Sequence, residues 1–392
     1  MTANCEEKAL VQSSPSSTCP LVSVVTPFYN TEAYLADCIE SVLTQSFTNF
    51  EYILVDNSST DRSRHIAETY ARRDHRIRLV TTPRFLGQID NYNYAVSLRS
   101  PDSKYCKIVE ADNFIFPECL FLMIKAFEQA DSIGLVSSYW LAGKVLCGSG
   151  FPFPRTMILG KEWGAAHLRS EAHVFGSPTQ VMYRSALIDE SQPFFNSDAL
   201  HADTDKCFAI LERWDFGFVP QILSYSRVDN VSISSATRNL EDGALDRFMT
   251  DLRYAPSFFS PAESAAFIRK SKRRYYGALA RGALKLGGGG RKFWQYHLKG
   301  QRTVNHKLDL PYLFCTTVLE LLRLILNPAW AIRAVRKWKA AKSNALSSGQ
   351  QTDKFFHVST SPALPAGQPK GSYNTILPDY NPHSCRSAPF PD

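Results

Sequence analysis

Short apolar runs alternate with stretches of helical periodicity through the first 130 residues, and that alternation admits few folds. The run Leu21–Thr26 suits a strand buried on both faces, and Pro27 ends it. Residues 31–44 follow as a helix, with Tyr34, Leu35, Cys38, Val42 and Leu43 on one stripe and Asn30 or Thr31 as N-cap. Tyr52–Val55 is a second strand that runs into the polar loop Asp56–Asp61. A helix to about Arg73, a strand near Ile77–Val80, a helix near 88–98 and a strand ending before Glu110 continue the series. Pro117 fits the first turn of another helix, whose Leu120, Phe121, Ile124 and Phe127 are expected to face inward. This order predicts a doubly wound, mostly parallel α/β sheet with flanking helices. After about residue 132 the pattern loosens. There 140–178 reads as loops with a short helix, 203–213 as a helix, and Val181–Tyr183 and Phe216–Tyr225 as strands.

A sheet of this kind binds ligands outside the carboxyl ends of its strands. Three loops leave such ends here: Pro27–Asn30, Asp56–Asp61 and Glu110–Asn113. In the third, Glu110 and Asp112 flank Ala111, and side chains at i and i+2 on an extended backbone share a face. Two hard oxygen ligands there suit Mg²⁺ or Mn²⁺, which keep positions open for phosphate oxygens. Alone, such a triplet is more often a solvated turn; the convergence of three loops is what favours a site.

Charge bounds the partners. The net charge of +7 divides unevenly along the chain. Residues 267–342 carry 18 Lys/Arg against two acids, whereas residues 1–266 carry 23 against 32. An acidic body with a basic extension predicts an anionic partner for the extension. Trp330, Val335 and Trp338 lie among Arg333, Arg336, Lys337 and Lys339, a composition suited to a helix lying on an anionic membrane surface. A helical cap with a solvated basic face is the plainer alternative. No base-reading motif appears, so nucleic acid is not expected as a partner. No uncharged apolar run reaches about 18 residues, so no spanning helix is expected. The nine cysteines include no C-x-x-C pair, which argues against a disulfide framework or zinc site and for a reducing compartment. The expected organisation is a disordered lead 1–19, an α/β domain 20–235, a basic helical extension 236–342 and a disordered tail 343–392. The lead lacks the apolar core of a signal peptide. Gly287–Gly290 reads as a flexible joint, since no strand precedes it and no G-K-[ST] follows.

Several motifs then recur in one order. They are Val24–Asn30, Gln45-Ser46-Phe47 before Glu51–Asp56, Asp56–Asp61, Gly87 with Asn93, Glu110-Ala111-Asp112 and Asp203-Thr204-Asp205. Over roughly residues 20–230 the chain resembles the family 2 glycosyltransferases of the GT-A fold. The resemblance implies an inverting transfer from a nucleotide-sugar donor, assisted by a divalent metal. It implies that Thr26, Pro27, Tyr29 and Glu32 line the base and ribose, and that Asp56 and Asn57 bond the pyrimidine edge. Asn57 stands where the family often has a second acid, which leaves uridine and thymidine nucleotides both open. Arg84 and Asn93 would contact the sugar or diphosphate. Asp112 would hold Mn²⁺ or Mg²⁺ directly, and Glu110 would bind the ribose or sugar or reach the metal through water. Asp203 matches the family's general base, with Asp205 as fallback, while His201 reads as a positioning or surface group. Gly176-Ser177-Pro178 and Trp163 lie where the family meets its acceptor. Arg213-Trp214 follows Asp203 too closely to be the processive synthases' Arg-Trp and reads as packing, so one sugar per event is expected.

These features imply a non-processive transferase peripheral to the cytoplasmic face of a membrane, with a glycan or lipid-linked acceptor. Two other readings compete. A nucleotidyltransferase would carry a Gly-rich basic loop after its first strand, which Pro27–Asn30 is not. A non-catalytic nucleotide-sugar-binding or scaffold protein is compatible with the departures at Glu110 and Asn57.

Overall fold

The computed structural model describes residues 19–326, apart from 172, 198, 200, 229–241, 285–289 and 305. The expected lead up to residue 18, Gly287–Gly289, the tryptophan-rich basic cluster of 330–339 and the tail 343–392 lie outside the described residues.

The centre is a ten-stranded sheet. Strands β1 (Val22–Phe28), β2 (Phe50–Asp56), β3 (Ile77–Thr81) and β4 (Tyr105–Ile108) are parallel and lie in the order β3-β2-β1-β4. Helices α1 (Leu35–Leu43), α2 (Ser63–Ala71) and α3 (Gln88–Ser97) connect them. The chain winds outward from β1 to β3 and then returns to the far side of β1, so the winding reverses between β1 and β4. Loops leaving these strands therefore meet at one edge, beside the reversal. The runs read as buried strands are buried: Val24, Val25, Ile53, Leu54 and Ile108 expose nothing.

β5 (Phe114–Ile115) and α4 (Cys119–Phe127) follow. Next come β6 (Ile133–Ala142), β7 (Val145–Cys147), β8 (Met157–Ile158), α5 (Gly160–Leu168), β9 (Met182–Arg184), α6 (Ala186–Glu190), α7 (Ala202–Leu211) and β10 (Asp215–Ser226). β9 lies antiparallel between β4 and β6, and β6 pairs in parallel with β10. The sheet is thus parallel around β1 and mixed beyond β4.

Three local expectations change. α1 begins at Leu35, not near residue 31, because Asn30 adopts φ 51° and the next residues close a separate turn onto the carbonyl of Thr31. Phe121 is 47% exposed, because Leu120, Met123, Ile124 and Phe127 form the inward stripe of α4 and Phe121 falls beside it. The long strand β6 occupies a stretch read partly as loop. Its Ser137 and Ser138 are wholly buried, and Ser137 donates to the Val174 carbonyl at 2.6 Å, so polar residues concealed a core strand.

Four helices follow: α8 (Asp242–Phe258), α9 (Pro261–Leu284), α10 (Arg291–Thr303) and α11 (Leu310–Leu326). They fall within the stretch 236–342 read as a helical extension, as far as its residues are described. Leu245, Phe248, Tyr275, Tyr276, Leu279 and Phe293 form their own apolar cluster. Asp251 is fully buried among them and is paired with Arg247 and Arg274, each at 2.9 Å. Among the described residues no helix is long and apolar enough to cross a membrane.

Candidate active site

The loops after β1 and β2 are built as one unit. The Asn30 side chain accepts the Thr60 N–H at 2.8 Å and donates to the Thr60 hydroxyl at 3.2 Å. Positive φ, which Asn tolerates better than most residues, aims it there. Glu32 accepts the Arg62 N–H at 2.9 Å and pairs with its side chain, so it is engaged at the start of α2 and does not stand clear at the crevice. Thr26 is buried and its hydroxyl meets the Tyr52 hydroxyl at 3.0 Å, inside the core; Pro27 is buried in β1. Tyr29 is 43% exposed and lies edge-on to the still more open Phe85 at 4.9 Å. That pair offers flat apolar surface at the mouth. Asp56 is buried, accepts the Ser59 N–H at 2.9 Å and lies 3.4 Å from Arg64.

Asn57 has a different task from the expected one. Its carbonyl oxygen accepts the Leu86 N–H at 2.9 Å and the Thr82 hydroxyl at 3.1 Å, and its amide donates to the Leu86 carbonyl at 2.9 Å. The side chain pairs with Leu86 as a strand backbone would, and holds the loop that carries exposed Arg84 and Phe85 into α3. An acid here would face the Leu86 carbonyl with no donor. Asn57→Asp is therefore expected to destabilise the fold by about 1–3 kcal/mol, read as a lower Tm in thermal denaturation.

Glu110 follows β4 and is enclosed by donors. The Tyr92 hydroxyl donates to it at 2.9 Å, the Asn113 amide at 3.0 Å and the Thr179 hydroxyl at 3.1 Å, and Ser177 adds a fourth bond. Burial pushes its carboxyl up against the pull of the Ser177 and Tyr92 hydroxyls, with Asp112 and Asp203 adding to the rise. The turn that brings Ser177 and Thr179 to it is fixed from below by Lys107. That ammonium is fully buried and donates to the carbonyls of Thr179 and, at 3.2 Å, Val181. Burial pulls it down to about 8. Asp112 is half-buried, and Arg227 holds its carbonyl at 2.8 Å while pairing with Asp37 at 2.7 Å. Sequence reasoning missed both Lys107 and Arg227; a lone cation inside or after an apolar strand run was the available signal.

Asp203 lies in the first turn of α7, half-buried, and burial raises its carboxyl. Its charge adds to the rise of Glu110 and Tyr92, so the start of α7 lies near the β4 loop. Asp205, the fallback, is turned away. It pairs with Arg253 and accepts the Tyr254 hydroxyl at 3.0 Å. Asn93 clamps the Phe195 backbone, accepting its N–H at 2.7 Å and donating to its carbonyl at 2.9 Å. Trp163 is buried against Phe151 and Phe216, in place of lining an acceptor path. Trp214 packs on Arg184, as its neighbourhood suggested.

Among the described residues no group of three or more His, Cys, Asp or Glu is arranged to hold a metal. With Glu110 saturated, Asp112 is the carboxylate of the pair at the crevice. One carboxylate suits a Mg²⁺ or Mn²⁺ ion that takes its other ligands from diphosphate oxygens and water.

The sheet order and acidic crevice define an α/β protein of the GT-A type. The fold matches residues 1–349 of S. aureus TarS, at TM-score 0.52 and 17% identity, over 72% of this chain and 80% of that one. Residues 23–145 match the sequence pattern of the family described as Glycosyl transferase family 2. Glycosyltransferase GlyG of Streptococcus pneumoniae serotype 4 is 31% identical over 120 residues, 31% of this chain and 39% of that protein. An uncharacterized glycosyltransferase of Haemophilus influenzae is 29% identical over 203 residues, 50% of this chain and 61% of that protein. The chain thus spans less than two thirds of either relative. The family match ends before Asp203.

Proposed function

We propose that the protein is an inverting, divalent-metal-dependent glycosyltransferase. It moves one sugar from a UDP- or dTDP-type nucleotide-sugar to a hydroxyl of a glycan or lipid-linked acceptor in surface polysaccharide synthesis. The observation that supports this reading is the placement of Asp112 in the loop after β4 and of the half-buried Asp203, whose carboxyl burial raises, at the start of α7. Tyr29 and Phe85 offer a stacking surface for the base, with Asp56 behind them. Glu110, locked by its donors, orients the sugar-facing side of the crevice. Asp203 takes the proton from the attacking acceptor oxygen, and its raised pKa makes it the stronger base. A divalent ion held by Asp112 supplies charge stabilisation to the departing diphosphate when bound. One displacement inverts the anomeric carbon.

The test is nucleotide release and sugar transfer from a panel of UDP-, dTDP- and GDP-sugars with Mn²⁺, with and without lipid extract. UDP-GlcNAc is a natural first donor, since TarS residues 1–349 were solved with it. Release from one donor, lost with EDTA and restored by Mn²⁺, is expected; binding without release under any metal would overturn the reading. It would favour the non-catalytic donor-binding alternative, for which the saturation of Glu110 is the supporting observation.

We extend the proposal to an anionic membrane surface on the cytoplasmic side. α11 carries Leu310, Phe314, Val318 and Leu321 exposed along one stripe, while Glu320 is buried against Arg323 at 3.2 Å and Arg281 at 3.8 Å. Cosedimentation with phosphatidylglycerol vesicles but not phosphatidylcholine vesicles is expected. Phe314→Glu should weaken it by about tenfold or more, since apolar insertion and surface charge act together.

A further inference from the structure

We infer that the cleft between α5, α8 and α9 is a second anion site, which takes a phosphate or diphosphate group of the acceptor. The inference rests on the transferase reading and names the acceptor chemistry which that reading leaves open. Two cavities of about 290 Å³ each adjoin there and share Arg247, Ser271 and Arg274 in their walls. Each lies near the lower end of small-ligand sites, about 300–1,000 Å³. Arg169, at the end of α5, and Lys270 line the first, and Arg281 lines the second. Phe267, Lys270, Ser271, Arg274, Ala278 and Arg281 recur at spacings of three and four, so one face of α9 runs along both. No residue of the loops after β1, β2 and β4 lines either cavity, so the cleft is distinct from the place assigned to the donor.

The cations are anchored as well as gathered. Asp251, fully buried, accepts Nε–H of Arg247 on one oxygen and a terminal N–H of Arg274 on the other, each at 2.9 Å, and it also accepts the Ser271 hydroxyl. Arg247 donates in addition to the Leu168 carbonyl. One carboxylate thus orients two guanidiniums and balances the charge of one. A guanidinium carries five N–H donors in a planar fork, so both retain donors for an anion after these bonds. Arg274 is exposed and Arg247 half-buried, so solutes reach them. Lys270 is exposed, and Arg169 lies over the Phe259 ring at 4.9 Å. Arg281 is 3.8 Å from Glu320, which Arg323 also approaches. Among the described residues Glu171 is the one acid in either wall, against these five cations. Arginine forks match pairs of phosphate oxygens. Concave walls with guanidiniums fixed from below suit a discrete anionic group better than a flat lipid surface, and two cavities joined at the fixed pair suit linked phosphates.

Isothermal titration of the full chain with inorganic pyrophosphate tests the site, in EDTA so that no metal carries the ligand to Asp112. Binding is expected, weakening as NaCl is raised. Arg169→Gln with Lys270→Gln removes two wall cations and leaves the Asp251 pairs intact. It should weaken binding by about tenfold or more with Tm unchanged. Arg274→Gln should weaken binding too, at a lower Tm, because Asp251 loses a partner. No binding, or equal binding by wild type and the double variant, would overturn the inference. Capture on phosphatidylglycerol vesicles that the double variant loses, with no pyrophosphate bound, would also overturn it and make the cleft part of a membrane face. Farnesyl diphosphate separates the sources: tighter binding than pyrophosphate would assign the group to a lipid-linked acceptor, and equal binding would leave recognition to the anion alone. In transfer assays the double variant should raise the KM for acceptor and leave that for donor. Pyrophosphate bound through these residues, with no transfer from any donor, would retain the anion site and remove the transferase reading.

Discussion

Asp203→Asn is expected to lower kcat by on the order of 10²–10⁴-fold, the usual worth of a positioned general base. Donor affinity should stay within about threefold of wild type, because the donor is assigned to the loops after β1, β2 and β4 and the base to α7. The loss should therefore fall on kcat and kcat/KM alike, the pattern of an interaction made only in the transition state. Asp205→Asn supplies the contrast. Its carboxylate is bound to Arg253 and Tyr254, so the variant should lose stability rather than chemistry. Isothermal titration with the donor and steady-state kinetics on both variants check the split. Equal losses of kcat in the two would move the base assignment off Asp203.

Glu110→Ala is expected to damage both fold and site. The carboxylate is the common acceptor of Tyr92, Asn113, Ser177 and Thr179. Removing it leaves buried hydroxyl and amide donors without an acceptor, at about 3 kcal/mol. For a chain of this size that lowers Tm by about 5 °C or more. The turn carrying Ser177 and Thr179 should loosen with it, and donor binding should weaken. Glu110→Gln retains two acceptor sites on its oxygen but turns an amide toward some of the donors, so an intermediate loss is expected. Differential scanning calorimetry on the two variants separates the cage from the charge: equal Tm values would mean that the charge, not the acceptor count, is what the cage needs.

What the sequence revealed was local. The strands around β1, the helices between them and the three converging loops follow from apolar runs and turn residues within a few positions of one another. What it concealed depends on partners far away in the chain. Glu110 read as a group for the ribose, the sugar or a water-bridged metal, because the hydroxyls that enclose it come from Ser177 and Thr179, far along the chain. Asn93 read as a donor contact because the backbone it clamps is that of Phe195. Asn57 read as a base-edge contact because its partner, Leu86, sits in a loop that periodicity does not describe. Lys107 passed as a strand residue because its acceptors, the carbonyls of Thr179 and Val181, lie some seventy residues further along the chain. The cleft between α5, α8 and α9 went unmarked within the basic extension because helix register, which decides what lines it, is a tertiary fact. The identity of the site residues was thus partly visible, and their division of labour was not.

The clamp between Asn93 and Phe195 bears on how such a protein can be cut and recombined. The family match stops at residue 145, yet residues inside it are held by residues beyond it: Asn93 by Phe195, Glu110 by Ser177 and Thr179, Asn113 by Arg227. Grafting the matched segment alone into a relative would carry half of each handshake and leave the other half behind. The smallest unit that keeps each of these pairs together runs through β10 to Arg227, and donor preference should travel between relatives only with that whole piece.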